Sequence, residues 1–317
     1  MSAATLERHQ LAIYLLATVL GLQAGTLWPA AAPVLQAALW PALALLLLVT
    51  FVQVPLLHVR DALRDLRFTA AVLLGNFVLL PLLAWGLVAL FGLEGPLRLG
   101  VLLVLLVPCT DWFIAFAQLG KGDGARAVAV TPLNLVLQLV LLPLYLWYMA
   151  DAQALGAWQG GTLAAAALTV LAPLLVAAAA EPWLERHPAG LRVRAAATWW
   201  PVPLLALVVF LVAGAQVGAV RDSLAALGHI VPVFVLFLVA AALLAKAMAR
   251  ALRLPTPQGR TLAFSLGTRN AFIVLPLALA LPPGWELAAV AIVAQSLVEL
   301  VGMAVYVWAV PRHLFRH

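Results

Sequence analysis

The chain has 317 residues, 66% of them apolar and only 9% charged, with 18 Lys and Arg against 12 Asp and Glu. Soluble domains carry about 25% charged residues, and here the apolar residues fall in blocks of roughly twenty or more, so the class is an all-α polytopic membrane protein. A secreted domain, a cytosolic enzyme and a disordered tail are excluded, and the scattered basic residues form no clustered face for nucleic acid.

A helix needs about 20 residues to cross the hydrocarbon core. Ten stretches meet that length, at 10–28, 33–57, 68–92, 97–119, 126–149, 157–180, 198–220, 226–249, 260–282 and 286–309. Turn chemistry separates them, as at Trp28-Pro29, Gly92 to Pro96, Gly120-Lys121-Gly122-Asp123-Gly124 and Pro282-Pro283-Gly284. No linker is long enough to divide soluble domains, so residues 1–317 read as one integral membrane domain. Arg8 before the first stretch and Ala30-Ala31-Ala32 after it also fit a signal peptide. Because the remaining chain is itself a membrane array, the stretch is read as a retained span.

Lysine and arginine set the orientation. On the side shared by both termini lie Arg8, Arg60, Arg64, Arg67, Lys121, Arg126, Arg186, Arg192, Arg194, Lys246, Arg250, Arg253, Arg260, Arg312 and Arg316. The opposite loops hold only Arg98 and Arg221. The positive-inside rule then makes both termini cytoplasmic, in a multi-pass protein of the plasma or inner membrane. The remaining arginine, Arg269, falls inside the ninth stretch.

The fourth and fifth stretches superimpose on the ninth and tenth at a constant offset of 161, which places Asn134 over Gln295, Gln138 over Glu299, Tyr145 over Tyr306 and Trp147 over Trp308. Cys109 falls over Asn270 at the same offset. Two five-helix units follow, about 10–149 and 157–309. An odd number of crossings per unit turns the second upside down, the inverted-repeat plan of secondary transporters.

The intramembrane charges are Asp111, Glu299 and Arg269. A charge at mid-bilayer costs at least about 2.5–3.5 kcal/mol, so these groups should face protein or a water cavity and find partners. Val107-Pro108-Cys109-Thr110-Asp111 interrupts the fourth helix, since proline removes a backbone donor and clashes with the preceding turn. Gly267-Thr268-Arg269-Asn270 lies at the matching place in the ninth. Helices 4 and 9 are therefore expected to be broken and to cross at one site, lined by Cys109, Thr110 and Asp111 from one and Thr268, Arg269 and Asn270 from the other. The alternative is a packing kink with an isolated Asp111–Arg269 salt bridge.

One cysteine in the whole chain permits no internal disulfide. Beside a proline break and an aspartate, its soft thiol suits weak binding of a thiophilic species, or else simple packing. Glu299, with Gln295 one turn before it and Gln138 and Asp111 as further polar groups, is a candidate for loading and unloading protons. The competing reading is a permanently ionised partner for Arg269. The histidines lie near loops or ends, and the tryptophans mostly near span ends, as an interfacial belt. No nucleotide loop, nucleophile elbow or metal-spaced cluster is present, so neither enzymatic activity nor a cofactor is expected.

Pro108-Cys109-Thr110, Leu119-Gly120-Lys121-Gly122-Asp123, the broken ninth stretch and Gln295-Ser296-Leu297-Val298-Glu299 together resemble the bile acid/sodium symporter superfamily, and more closely its arsenical-resistance branch of arsenite efflux permeases. The resemblance implies ten helices in a panel and a core domain. It implies export of arsenous acid, and of antimonite, against protons by antiport, with Cys109 and Glu299 matching the cysteine and glutamate that such permeases need. Small inorganic solute, protons and lipid are the implied partners. Sodium-coupled members carry glutamate and glutamine where this chain has Ser265 and Arg269. The alternative function is a sodium- or proton-coupled organic anion symporter, with Arg269 binding a carboxylate.

Overall fold

The computed structural model of the protein describes residues 3–55, 64–150, 156, 158, 160–222 and 224–316. Arg60, the end of the 33–57 stretch and the start of the 157–180 stretch lie outside the described residues.

The described chain is helical, since helices satisfy every backbone polar group without water. The first half contains α1 (Ala3–Leu27), α2 (Ala32–Gln53), α3 (Leu66–Leu74), α4 (Leu80–Leu90), α5 (Gly95–Leu105), α6 (Trp112–Leu119) and α7 (Gly124–Met149). The second contains α8 (Gly160–Arg186), α9 (Pro188–Ala197), α10 (Pro201–Ala215), α11 (Val217–Asp222), α12 (Leu224–Ala251), α13 (Thr256–Gly267), α14 (Ala271–Leu279) and α15 (Glu286–Ala309). Asp65, Asp123 and Asn270 cap α3, α7 and α14 by accepting from the N–H groups of Phe68, Arg126 and Ile273. A π-helical turn, Gly75–Leu79, joins α3 to α4 in one apolar rod.

Among the described residues, six helices are long and apolar enough to cross a membrane, or seven if α9 and α10, bent by 44° at their junction, count as one. The ten expected spans are therefore not all met. α5 and α6 fall short individually, as do α13 and α14. Apolar side chains also cover much of the outside, with Trp147 72%, Tyr148 83% and Leu175 67% exposed. An exterior of that kind fits lipid rather than water.

Two packing groups are evident. α1, α2, α8, α9 and α10 pack chiefly with one another, while α3 to α7 pack with α12 to α15. In the second group Gly100 lets α5 approach α15 so closely that an added Cβ would lie 2.6 Å from the Ala288 carbonyl oxygen. Tyr145 Oη on α7 donates to the Phe77 carbonyl at 2.5 Å, and Tyr306 Oη on α15 donates to the Leu238 carbonyl. Both members of the second bond follow those of the first by the offset of 161.

Candidate functional site

The two interruptions meet inside the second group. α5 ends at Leu105, α6 begins at Trp112, α13 ends at Gly267 and α14 begins at Ala271. Between these ends Pro108 and Arg269 form an isolated antiparallel bridge. Cys109 N–H donates to the Thr268 carbonyl at 3.2 Å, and Asn270 N–H donates to the Val107 carbonyl at 2.8 Å. Exchanging each residue of one bond for its partner at the offset of 161, Cys109 for Asn270 and Thr268 for Val107, gives the other. The reason is physical: a break frees backbone groups that hydrocarbon cannot solvate, and each segment supplies the partners the other needs. Asn270 Nδ2 strengthens the junction by donating to Thr110 Oγ1 at 3.0 Å. The isolated-kink alternative fails here, because both breaks are used in one hydrogen-bonded crossing.

The polar side chains around the crossing do not pair as acid with base. The Cys109 thiol, 2% exposed, donates to Asp111 Oδ1 at 3.0 Å. Glu299, 3% exposed, accepts at Oε2 from the Arg269 backbone N–H at 2.8 Å and from Gln295 Nε2 at 2.7 Å. The Arg269 guanidinium turns away, donating to the carbonyls of Ser265, Leu266 and Leu105 and to Asn76 Oδ1. Among the described residues it forms no salt bridge with Asp111 or Glu299, so the alternative Asp111–Arg269 bridge is not made, and Glu299 meets Arg269 through the backbone N–H rather than through the guanidinium. Helix ends explain the choice. The last-turn carbonyls of α5 and α13 lack intrahelical partners and carry partial negative charge, whereas Asp111 occupies the N-cap position of α6, where partial positive charge favours an acid.

Of the residues expected at the site, Cys109, Thr110, Asp111, Thr268, Arg269 and Asn270 converge at the crossing, and Glu299 joins them through the Arg269 N–H with Gln295 behind it. Gln138 is buried on α7 but makes no hydrogen bond to this network. Both polar atoms of Gln138 and both of Asn134, one turn earlier, lie buried without a partner, as does Gln295 Oε1. Sequence reasoning missed Asn76, whose Nδ2 donates to Ser265 Oγ at 3.0 Å while its Oδ1 receives Arg269 at 2.7 Å. A lone amide in the apolar third stretch was the available signal. It also missed an aromatic run in which Tyr14 of α1 stacks on Trp112 at 5.9 Å and Trp112 meets Phe272 edge-on at 5.4 Å.

A second polar cluster marks the end of this group where α3, α7 and α13 start. Asp65 takes Arg126 Nε at 2.7 Å and Gln258 Nε2 at 2.9 Å. Burial alone would raise the Asp65 carboxyl, but these bonds, the Phe68 N–H and the Arg126 charge outweigh it and hold its pKa below the usual carboxylate value. A cleft of about 450 Å³ opens here between Pro55, Arg64, Asp65, Arg126 and Glu185, at the seam between the two packing groups and away from the crossing.

Comparison with known proteins agrees with this architecture. Residues 40–223, more than half of the chain, match the family model of the Sodium Bile acid symporter family. A comparison with curated proteins finds no match.

Proposed function

Because the chain belongs to the sodium bile acid symporter family, a family of membrane transporters, we propose that it is a secondary active transporter that exports arsenous acid, and antimonite, in exchange for protons. Its ten spans form two inverted five-helix units, and the group containing the crossing moves against the group of α1, α2 and α8 to α10 in an alternating-access cycle. The matched helices at an offset of 161 and the exchangeable backbone bonds at Pro108 and Arg269 support that plan. Both termini are cytoplasmic in the cell membrane, as the lysine and arginine distribution indicates.

The single observation that carries the cargo is the Cys109 thiol held against Asp111 at the crossing. A thiol is the softest ligand a side chain offers, and one alone gives a contact weak enough to release. When sulfur bonds arsenic one As–OH bond breaks, Asp111 is placed to relay the thiol proton to the departing hydroxide, which leaves as water, and release reverses the exchange. Thr110, Thr268 and Asn270 shape the site, Glu299 carries the exchanged proton, and Gln295, Gln138 and Asp111 support the transfer. No cofactor has a role in this cycle, and no bond of the solute is broken in net terms.

The test is arsenite accumulation in everted vesicles under an imposed pH gradient, with and without sodium. Wild type should accumulate arsenite on the gradient, and Cys109→Ser at equal membrane expression should not. A serine variant that still protects arsenic-sensitive cells would overturn the cargo reading. The family match favours a second reading, an organic anion symporter. Uptake of a labelled organic anion that requires Arg269 and ignores Cys109 would establish it, although both terminal nitrogens of the guanidinium are already directed at protein acceptors and only the buried Nε is left without one.

A further inference from the structure

Four acceptors converge on the Arg269 guanidinium. Ser265 and Leu266, in the last turn of α13, offer carbonyls at 3.1 and 3.0 Å, and Leu105, the last residue of α5, offers one at 3.3 Å. Asn76 Oδ1, from the π-helical turn, completes the nest at 2.7 Å. The face of the Phe237 ring lies 5.4 Å from Cζ, a further contact that favours a cation. Two helix C-termini pointing their unpaired carbonyls at one spot in a low-dielectric interior make a cation site, and transporters with broken helices hold a coupling cation at such ends.

We propose that Arg269 is a tethered cation built into the crossing, filling the site formed by the ends of α5 and α13, so that this chain binds no sodium there and works without it. A guanidinium remains protonated and cannot dissociate from its own backbone, so the site is permanently filled. A second cation would meet both the repulsion of this charge and acceptors already in use. The geometry also spares the acid: Glu299 is held through the Arg269 backbone N–H rather than through the guanidinium, so the fixed charge does not lock the carboxylate as its partner. Asn76 acts as a positioning residue. Its amide orients the guanidinium with one end and anchors Ser265 Oγ with the other, and the π-helical turn sets it at that spot.

The inference concerns the cation and is independent of the cargo, so its test uses none. The purified full-length protein in detergent is heated while sodium chloride replaces choline chloride at constant ionic strength. Wild type should show superimposable melting midpoints in the two salts. Arg269→Ala, with the nest vacated, should melt lower and regain stability saturably as sodium or guanidinium chloride is added. A saturable, sodium-specific rise in wild type overturns the proposal, as does a folded Arg269→Ala that responds to neither cation. Should the alanine variant not fold, Arg269→Lys, which keeps a tethered charge, is measured in its place. It should be indifferent to sodium like wild type, and a sodium-specific rise in it overturns the proposal equally.

Discussion

On the proposed proton-coupled cycle, Glu299 is where coupling and structure can be separated by substitution. Its Oε2 accepts two buried donors, the Arg269 N–H at 2.8 Å and Gln295 Nε2 at 2.7 Å. Glu299→Gln keeps the volume and an oxygen for both donors but cannot exchange a proton. Weakening two charge-assisted bonds to neutral ones costs about 1 kcal/mol each, and removing a buried carboxylate's desolvation penalty offsets this, so net stability should change by no more than about 1 kcal/mol. Glu299→Leu leaves both donors unpaired, at about 1–3 kcal/mol apiece, and should melt markedly lower. In everted vesicles Glu299→Gln should lose arsenite accumulation driven by a pH gradient while still exchanging labelled for unlabelled arsenite. Gradient-driven accumulation at the wild-type rate, in a glutamine variant of normal melting temperature, would refute the proton role.

Three further outcomes follow from the same geometry. Asn134→Leu and Gln138→Leu each remove a buried amide with no partner, so each should stabilise the protein by about 1–3 kcal/mol while reducing transport; a lower melting temperature would show that these groups are paired in the working protein. Gly100→Ala places a methyl 2.6 Å from the Ala288 carbonyl oxygen and should cost about 1–3 kcal/mol, read by thermal unfolding, as α5 is pushed off α15. For Asp65 the folded pKa lies below the unfolded value, so its stabilising contribution is fully present above the unfolded pKa and fades as pH falls through the folded one. Melting curves of wild type and Asp65→Asn should accordingly converge in acid below about pH 4 and separate above it; a constant gap across that range would contradict the assignment.

The crossing was legible in the sequence because breaks have residue signatures. Pro108 cannot continue a helix, Gly267 weakens one, and polar residues beside each are costly in lipid unless they share a site. Six of the ten apolar stretches were legible as long helices because their composition is continuous, whereas the other four come out shorter or bent, and the offset of 161 recurs in the two tyrosine-to-carbonyl bonds. What Arg269 binds was not legible. Its partners are mostly backbone carbonyls, which every residue possesses, so no side-chain pattern announces them. Charge matching pointed to Asp111 or Glu299, and helix-end polarity won over it. Asn76 went unnoticed because its importance depends on a local π-helical turn and on a partner 193 residues away.

That preference for helix ends bears on how the site could move. Arg269 ties the ends of α5 and α13 to the π-helical turn between α3 and α4, and the bonds at Cys109 and Asn270 tie the two interrupted segments to each other. Separating any of these elements would strand a buried charge or buried backbone groups, at about 3–5 kcal/mol for the charge alone. The seam toward α1, α2 and α8 to α10 is held differently, in part by the stacking of Tyr14 on Trp112 and the bond from Trp158 Nε1 to the Leu277 carbonyl at 2.9 Å. Sliding along that seam exchanges apolar and aromatic contacts and leaves the charge nest intact. On the proposed alternating-access cycle, the crossing therefore travels as a unit with its cation, thiol and acids in fixed relation, and the yielding surface is the seam.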